Sequence, residues 1–484
     1  MKDFDAIVIG SGIGGLISAG ILASKGLRTL LIERHVTPGG YIASFERKGF
    51  VFDAAVDCIS GVAPDGLIFK VLEKLGVHND LGFLRIDPIR VSIFPDIEIP
   101  VDADMNAYID RLTSLFPSES AGIKEFFKIA CRVYEMIQSA TNMFISNNAG
   151  SNNISPKILK FMNTTYNELL SEYLKDYRLK AILSDRCPFL GLPPSRVSLI
   201  SMIALIMSYF THGAYRPVGG FQRLADVLAD GIRKNGGRVI LGNGVKKILL
   251  DRDNNCCGII CDNADEYTSR HIISNADFNS TFKNLLGGRH ASIAEKMTTD
   301  VGVSMSFFIV YTGIKGEIKT HSSLGYFPSY DIESFFKPEA AFMDKSTIGI
   351  TISSLEDKFR APHNCHTVVF HEMVEATNKD FDKSRCTDII LKKTEKVIPD
   401  LKDRILVIDS ATPQTLERYT GNYRGAAFGW RQASGFRNVA RHGIKNLSIA
   451  GHWGDMGGGV LAAAYSGAKA AGEILMKEGL QIDI

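Results

Sequence analysis

The clearest chemistry in the sequence lies near its start, in Gly10-Ser11-Gly12-Ile13-Gly14-Gly15 and in an acid, Glu33, about twenty residues on. Glycines at this spacing allow what side chains forbid. Gly10 permits a tight turn, Gly12 lets a pyrophosphate touch the backbone, and Gly15 lets a helix pack closely on a strand. A phosphate placed there meets unpaired N–H groups and the positive end of a helix. Glu33 can accept hydrogen bonds from ribose hydroxyls and would repel a 2′-phosphate. A second glycine cluster, Gly457-Gly458-Gly459-Val460, precedes a run of small residues and aims N–H donors at another anion. Four side chains near the expected turns are candidates to act on a substrate: Asp57, Tyr215, Arg216 and His452. No metal site is expected. His363, Cys365, His366 and His371 fit no zinc spacing and lie partly along a strand, where alternate residues face opposite ways. Cys256, Cys257 and Cys261 lack paired CxxC geometry.

These residues need a scaffold, and the apolar pattern supplies one. Phe4–Ile9 reads as a buried parallel strand, Leu16–Lys25 as a helix, and Thr29–Ile32 as a second strand ending at Glu33. Residues 54–214 read mostly helical, with amphipathic stretches at Leu67–Leu75, Ala107–Phe116 and Ile123–Ile145, and a polar loop at Asn147–Ser155. Gln222–Asn235 predicts a helix and Arg238–Leu241 a returning strand, with Val245 placed to meet an adenine edge. Ile272–Asp277 gives a further short strand and turn. Residues 301–424 alternate short strands with a helix at Asp382–Val397 and predict an antiparallel sheet. Leu447–Gly451 is a strand leading to the last helix, Leu461–Met476.

Composition narrows the function. With 484 residues, 45% hydrophobic and net charge +2, the chain is neither disordered nor suited to nucleic acid. No run reaches the ~18–20 apolar residues of a membrane span. The most apolar stretch, Val197–Phe210, suits a core helix, a tunnel lining or a helix dipping into one leaflet. The N-terminus has no secretory layout and the eight cysteines form no disulfide framework. The expected location is cytoplasmic, with peripheral contact to a membrane.

Pro38-Gly39-Gly40-Tyr41 and the stretch to Asp53 resemble the segment after the second strand in glutathione-reductase-type flavoproteins, where a second glycine pair passes the flavin. No second GxGxxG with a following helix and acid occurs, so the single dinucleotide is expected to be FAD. More widely, GSGIGG, GGY…FERKGFVFD, RPVGGFQRLADVLADGIRKNGG, ISNAD and AGHWGDMGGGVLAAAYSGAKAAGEIL resemble the phytoene desaturase family. That family includes carotenoid cis–trans isomerases and retinol saturases, and the motifs run in order from residue 5 to about 476. The resemblance implies an α/β fold. A Rossmann-like FAD-binding domain would be discontinuous over 1–85, 215–290 and 425–484. An α+β substrate-binding domain would take 86–214 and 291–424.

By the same resemblance Gly10, Gly12, Gly15, Glu33, Gly40, Val245, Gly451, Gly459 and Val460 match FAD-contacting positions, with Ser11, Gly14, Arg34 and Tyr41 in the same turns. Two positions depart from the desaturase pattern: Tyr41 where Arg is common, and His452 where an acid often follows the terminal Ala-Gly. The implied activity is FAD-dependent desaturation or saturation of an apolar polyene or isoprenoid-like substrate. The rivals are a flavin-dependent cis–trans isomerase and a non-enzymatic lipid-binding protein on the same scaffold, as in the Rab GDP-dissociation inhibitors.

Overall fold

Strand Phe4–Ile9, buried from Asp5 onward, sits at the centre of a parallel sheet. The computed structural model describes residues 2–146, 160–337, 341–342, 346–435, 442–481 and 483. Within it the parallel strands lie in the order Arg238–Ile240, Thr29–Ile32, Phe4–Ile9, Glu266–Ser274, Leu447–Ile449. The first residues of Glu266–Ser274 instead join an antiparallel meander with Cys256–Cys261 and Val245–Leu250. Strands buried on both faces need continuous apolar sequence, which accounts for the runs at Ala6–Ile9 and Leu30–Ile32.

Helices Ile13–Ser24, Phe221–Lys234 and Val460–Lys477 pack with one face of this sheet. The last helix lies so close to the first that a Cβ at Gly467 would strike the Gly14 carbonyl oxygen. On the other face Phe278, Phe282 and Trp430 fill the core.

The antiparallel sheet expected within 301–424 is present and larger than expected. Its seven strands run Ile405–Ala411, Ser306–Lys315, Cys365–Val374, Ile348–Thr351, Ser323–Tyr326, Arg90–Ile93, Glu98–Val101. Only the pairing of Ser323–Tyr326 with Arg90–Ile93 is parallel. One face packs on helix Lys383–Thr394 through Ile390 and Leu391. The last two strands correct the helical reading of 54–214, as does Phe83–Ile86, which pairs with Ala214–Pro217. Each strand is four residues long, too short for alternation to show against neighbouring helical pattern.

The expected helices in that region appear as Leu67–Lys74, Met105–Leu115 and Ser120–Ser146. The polar stretch Asn147–Ser155 lies outside the described residues. The apolar stretch Val197–Phe210 becomes helix Leu199–His212, capped by the Ser198 hydroxyl. Only Thr211 in this helix is exposed, and its apolar side chains are buried or half-buried. Among the described residues, no helix is long and apolar enough to cross a membrane.

Candidate active site

Four parallel strands end at the same place. Past their C-terminal ends come Gly10, Glu33, Asn275 and Gly451, all on the wall of one cavity of about 1120 Å³. Parallel sheets place ligands outside these carboxyl ends, where the strand order reverses. The glycines there are required by space. A Cβ at Gly12 would lie 2.9 Å from Asn275 Nδ2, although φ −61° at Gly12 suits any residue. A Cβ at Gly14 would lie 2.6 Å from Asn275 Oδ1 and 2.7 Å from the Gly451 nitrogen. A Cβ at Gly15 would strike the Gly10 carbonyl oxygen, the close helix–strand approach expected of that glycine. Gly10, at φ +90°, turns the chain, and its N–H donates to the Ile32 carbonyl at 2.8 Å.

The second glycine pair joins the same floor. The Gly39 N–H donates to the Ser11 carbonyl at 3.0 Å, and Gly40 sits against Gly12. Gly459 (φ +100°) opens helix Val460–Lys477 without a side-chain cap, so the first N–H groups remain for an anion in the cavity.

Glu33 is 9% exposed on this wall. Its Oε2 accepts from the Ser11 N–H and hydroxyl, both at 2.8 Å, while Oε1 accepts from the His35 N–H at 3.0 Å. Ser11 itself is fully buried and off the cavity wall, so its hydroxyl orients Glu33. Arg34, Tyr41, Val245, His452, Gly459 and Val460 all reach the wall. Arg34 is held by the Arg418 carbonyl at 2.9 Å, and Val245 begins its meander strand.

The two departures from the desaturase pattern touch each other. The Tyr41 and His452 rings meet edge-on at 5.8 Å, and His452 Nε2 lies 2.8 Å from Asn422 Oδ1. Burial lowers His452 to about 4, so the pair is neutral. Asp57 reaches the cavity wall but is committed to Arg216 at 2.5 Å and to the Ser323 hydroxyl at 2.5 Å. Burial pushes its carboxyl up, and Arg216 with Ser323 brings it below its ordinary value.

Arg216 and Tyr215, expected near the reacting centre, are not on the cavity wall. Arg216 is 2% exposed and is used up by Asp57, Glu356 and the Ser322 hydroxyl. Tyr215, in the same strand, packs over Gly213. Among the described residues no group of side chains could hold a metal.

Sequence reasoning missed Asn275 as a cradle residue, although ISNAD marks the strand end that carries it. It also passed over Asp277, which lines the cavity and accepts from the Ser280 and Tyr423 N–H groups at 2.7 and 2.9 Å. Burial raises Asp277 to about 7.

Beyond the cradle the cavity turns apolar. Ile137 and Ile145 of helix Ser120–Ser146, Ile200 and Leu205 of helix Leu199–His212, and Phe307 and Ile309 of the second sheet form its other wall. Residues 13–475 match the family of flavin containing amine oxidoreductases. The chain belongs to that family. It is an FAD-dependent oxidoreductase, and the glycine cradle has the space and free N–H groups that FAD needs.

Among its relatives, prolycopene isomerase 2 of an Oncidium hybrid cultivar is 26% identical over 510 residues, covering 99% of this chain and 85% of the relative. The all-trans-retinol 13,14-reductase of Danio rerio is 25% identical over 540 residues, covering 100% and 87%. An oxidoreductase from Methanosarcina mazei shares the fold at TM-score 0.66 and 19% identity, covering 96% of this chain and 98% of its own. Putrescine oxidase bound to putrescine does so at TM-score 0.64 and 15% identity, covering 98% and 99%. A Rab GDI from Plasmodium falciparum shares the fold at TM-score 0.53 and 14% identity, covering 100% of both chains. The family places the chain with the flavoenzymes, and the likeness to the Rab GDI is one of fold.

Proposed function

We propose that this flavoenzyme forms or saturates C=C bonds in an apolar polyene or isoprenoid-like substrate. The observation that carries this reading is the single cavity: one wall is a dinucleotide cradle, and the other is apolar helix and sheet. FAD supplies the hydride or electron-pair chemistry when bound. The chain's own residues bind the substrate, hold it against that cofactor and exclude water. The committed state of Asp57 and the neutral state of His452 suit a reaction that requires no strong protein acid.

The names of the relatives divide between this reading and a second, since one is a reductase of retinol and another an isomerase of prolycopene. Anaerobic incubation of the holoenzyme with a polyene, followed by product mass, separates them. A gain or loss of two hydrogens with a matching change in the flavin band supports redox turnover. Unchanged mass with altered double-bond geometry gives the isomerase, and no reaction with any polyene overturns both.

The domain division 1–85, 215–290 and 425–484 against 86–214 and 291–424 is part of the same proposal. Its support is that the parallel sheet draws its strands from the first set, while the second sheet draws only from the other. Peripheral contact with a lipid surface would deliver such a substrate. Met143, 43% exposed, lies on the helix whose Ile137 and Ile145 face the cavity. Met143→Glu lowering liposome co-sedimentation at unchanged FAD content would support that route, and sedimentation equal to the parent would refute it.

A further inference from the structure

Across the floor of the substrate wall runs one row of paired residues: Ile309, His371, Gly349, Gly325 and Ser92, each on its own strand. The two adjacent glycines leave a trough in this row. Over Gly325 lies the guanidinium of Arg90, so close that a Cβ there would strike Nη2 and lie 2.6 Å from Nε. A Cβ at Gly349 would meet nothing closer than the His371 Cβ at 3.7 Å.

Arg90 is 3% exposed and lines the cavity, and its Nε has no hydrogen-bond partner. Its faces are covered by Phe189 at 5.0 Å and Phe327 at 5.9 Å, but ring faces leave the N–H edge unsatisfied. Neither nearby carboxylate answers it. Asp57 is taken by Arg216 and Ser323, and Asp185 accepts from Ser92 at 2.5 Å and pairs with Arg186. Across the trough, His371 also lines the cavity, and its buried Nε2 has no partner. Burial holds His371 down to about 4, so its ring is neutral, and its one N–H is drawn to the Gly349 backbone, which leaves the ring as an uncharged side wall of the trough. Burying a guanidinium without an acceptor is costly, and a planar carboxylate is the acceptor its fork fits best.

We infer that Arg90, facing His371 across the Gly325–Gly349 trough, anchors a terminal carboxylate on the apolar chain of the substrate. This rests on the polyene reading for the chain itself and adds its polar end. Arg90 is a positioning group that sets how far the chain reaches toward the cradle.

The test is equilibrium binding to the FAD-loaded enzyme in the dark with two matched pairs: all-trans-retinoic acid and its methyl ester, and palmitic acid and its methyl ester. The retinoic acid should bind roughly tenfold or more tightly than its ester, the scale of one charge-assisted hydrogen bond. Arg90→Met should abolish that preference with FAD content retained. The wild-type comparison requires no variant to fold. Preference for the acid in the palmitic pair alone keeps the anchor and overturns the polyene reading. Equal binding of acid and ester in both pairs overturns the anchor.

Discussion

The cavity has two walls made by different means. The cradle wall is backbone: Gly10, Gly12, Gly14 and Gly451 matter because a side chain there would fill the ligand's place or collide with Asn275. The substrate wall is side chain: Ile137, Ile200, Leu205 and Phe307 come from two helices and a sheet far apart in sequence. A backbone wall tolerates few substitutions, because a Cβ at Gly12, Gly14 or Gly451 adds volume that Asn275 or the ligand needs. A side-chain wall can be recut one residue at a time, which suits a fold that holds one cofactor for many substrates.

The sharpest way to break this contrast is Gly12→Val. The backbone at Gly12 accepts valine and its Cβ would meet only the end of the Asn275 side chain, which can turn aside, so the protein should fold yet retain no FAD after dialysis. Full FAD occupancy would place the dinucleotide elsewhere. Behind the other wall Ile203, fully buried in helix Leu199–His212, should resist charge. Ile203→Glu is expected to cost roughly 3 kcal/mol or more in a thermal or denaturant melt, against about 0.5 kcal/mol or less for exposed Thr211→Glu. A melt near the parent's for Ile203→Glu would mean that the helix is not core.

Glu33→Ala removes the acceptor of the Ser11 and His35 N–H groups and, with it, the partner proposed for the ribose of FAD. FAD affinity should fall by ~1.5–3 kcal/mol, the range for hydrogen bonds to a charged group, as read by a reconstitution titration. Unchanged affinity would leave Glu33 as a brace for the glycine turn alone.

The smallest effect concerns Asp277, raised by burial to about 7. Between the ordinary carboxylate value and about 7 the folded protein holds a proton that the unfolded chain has released. Stability therefore falls as pH rises through that window, and the penalty is complete above it. Asp277→Asn should thus raise the melting temperature of the FAD-free protein more at about pH 8 than at about pH 5. An equal shift at both would show that the carboxyl stays ionised throughout.

Legibility followed the same division. The cradle could be read because a local motif encodes it: glycine spacing, the Phe4–Ile9 strand and the terminal Gly457–Val460 turn each lie within a few residues. Asn275 lies in a legible motif, but its place among the glycines does not show, because that contact joins strand ends far apart in sequence. Arg90 left no trace at all. Its meaning depends on Gly325 and Phe189, and its own strand is four residues long in a region that reads as helical. His371 was visible only as part of a histidine cluster, from which the strand's alternation separates it. Tyr215 and Arg216 were expected at the reacting centre from their place beside a glycine turn, yet the buried acids Asp57 and Glu356 draw Arg216 away.

The central claim is that both walls enclose one space, so that FAD and the apolar chain occupy it together. The direct measurement is an anaerobic titration of the FAD-loaded enzyme with a polyene, recording the flavin absorption band and the FAD that stays bound to the protein. A saturable perturbation or bleaching of that band with FAD fully retained is expected. A polyene that displaces FAD, or that binds and leaves the flavin spectrum untouched, would contradict it.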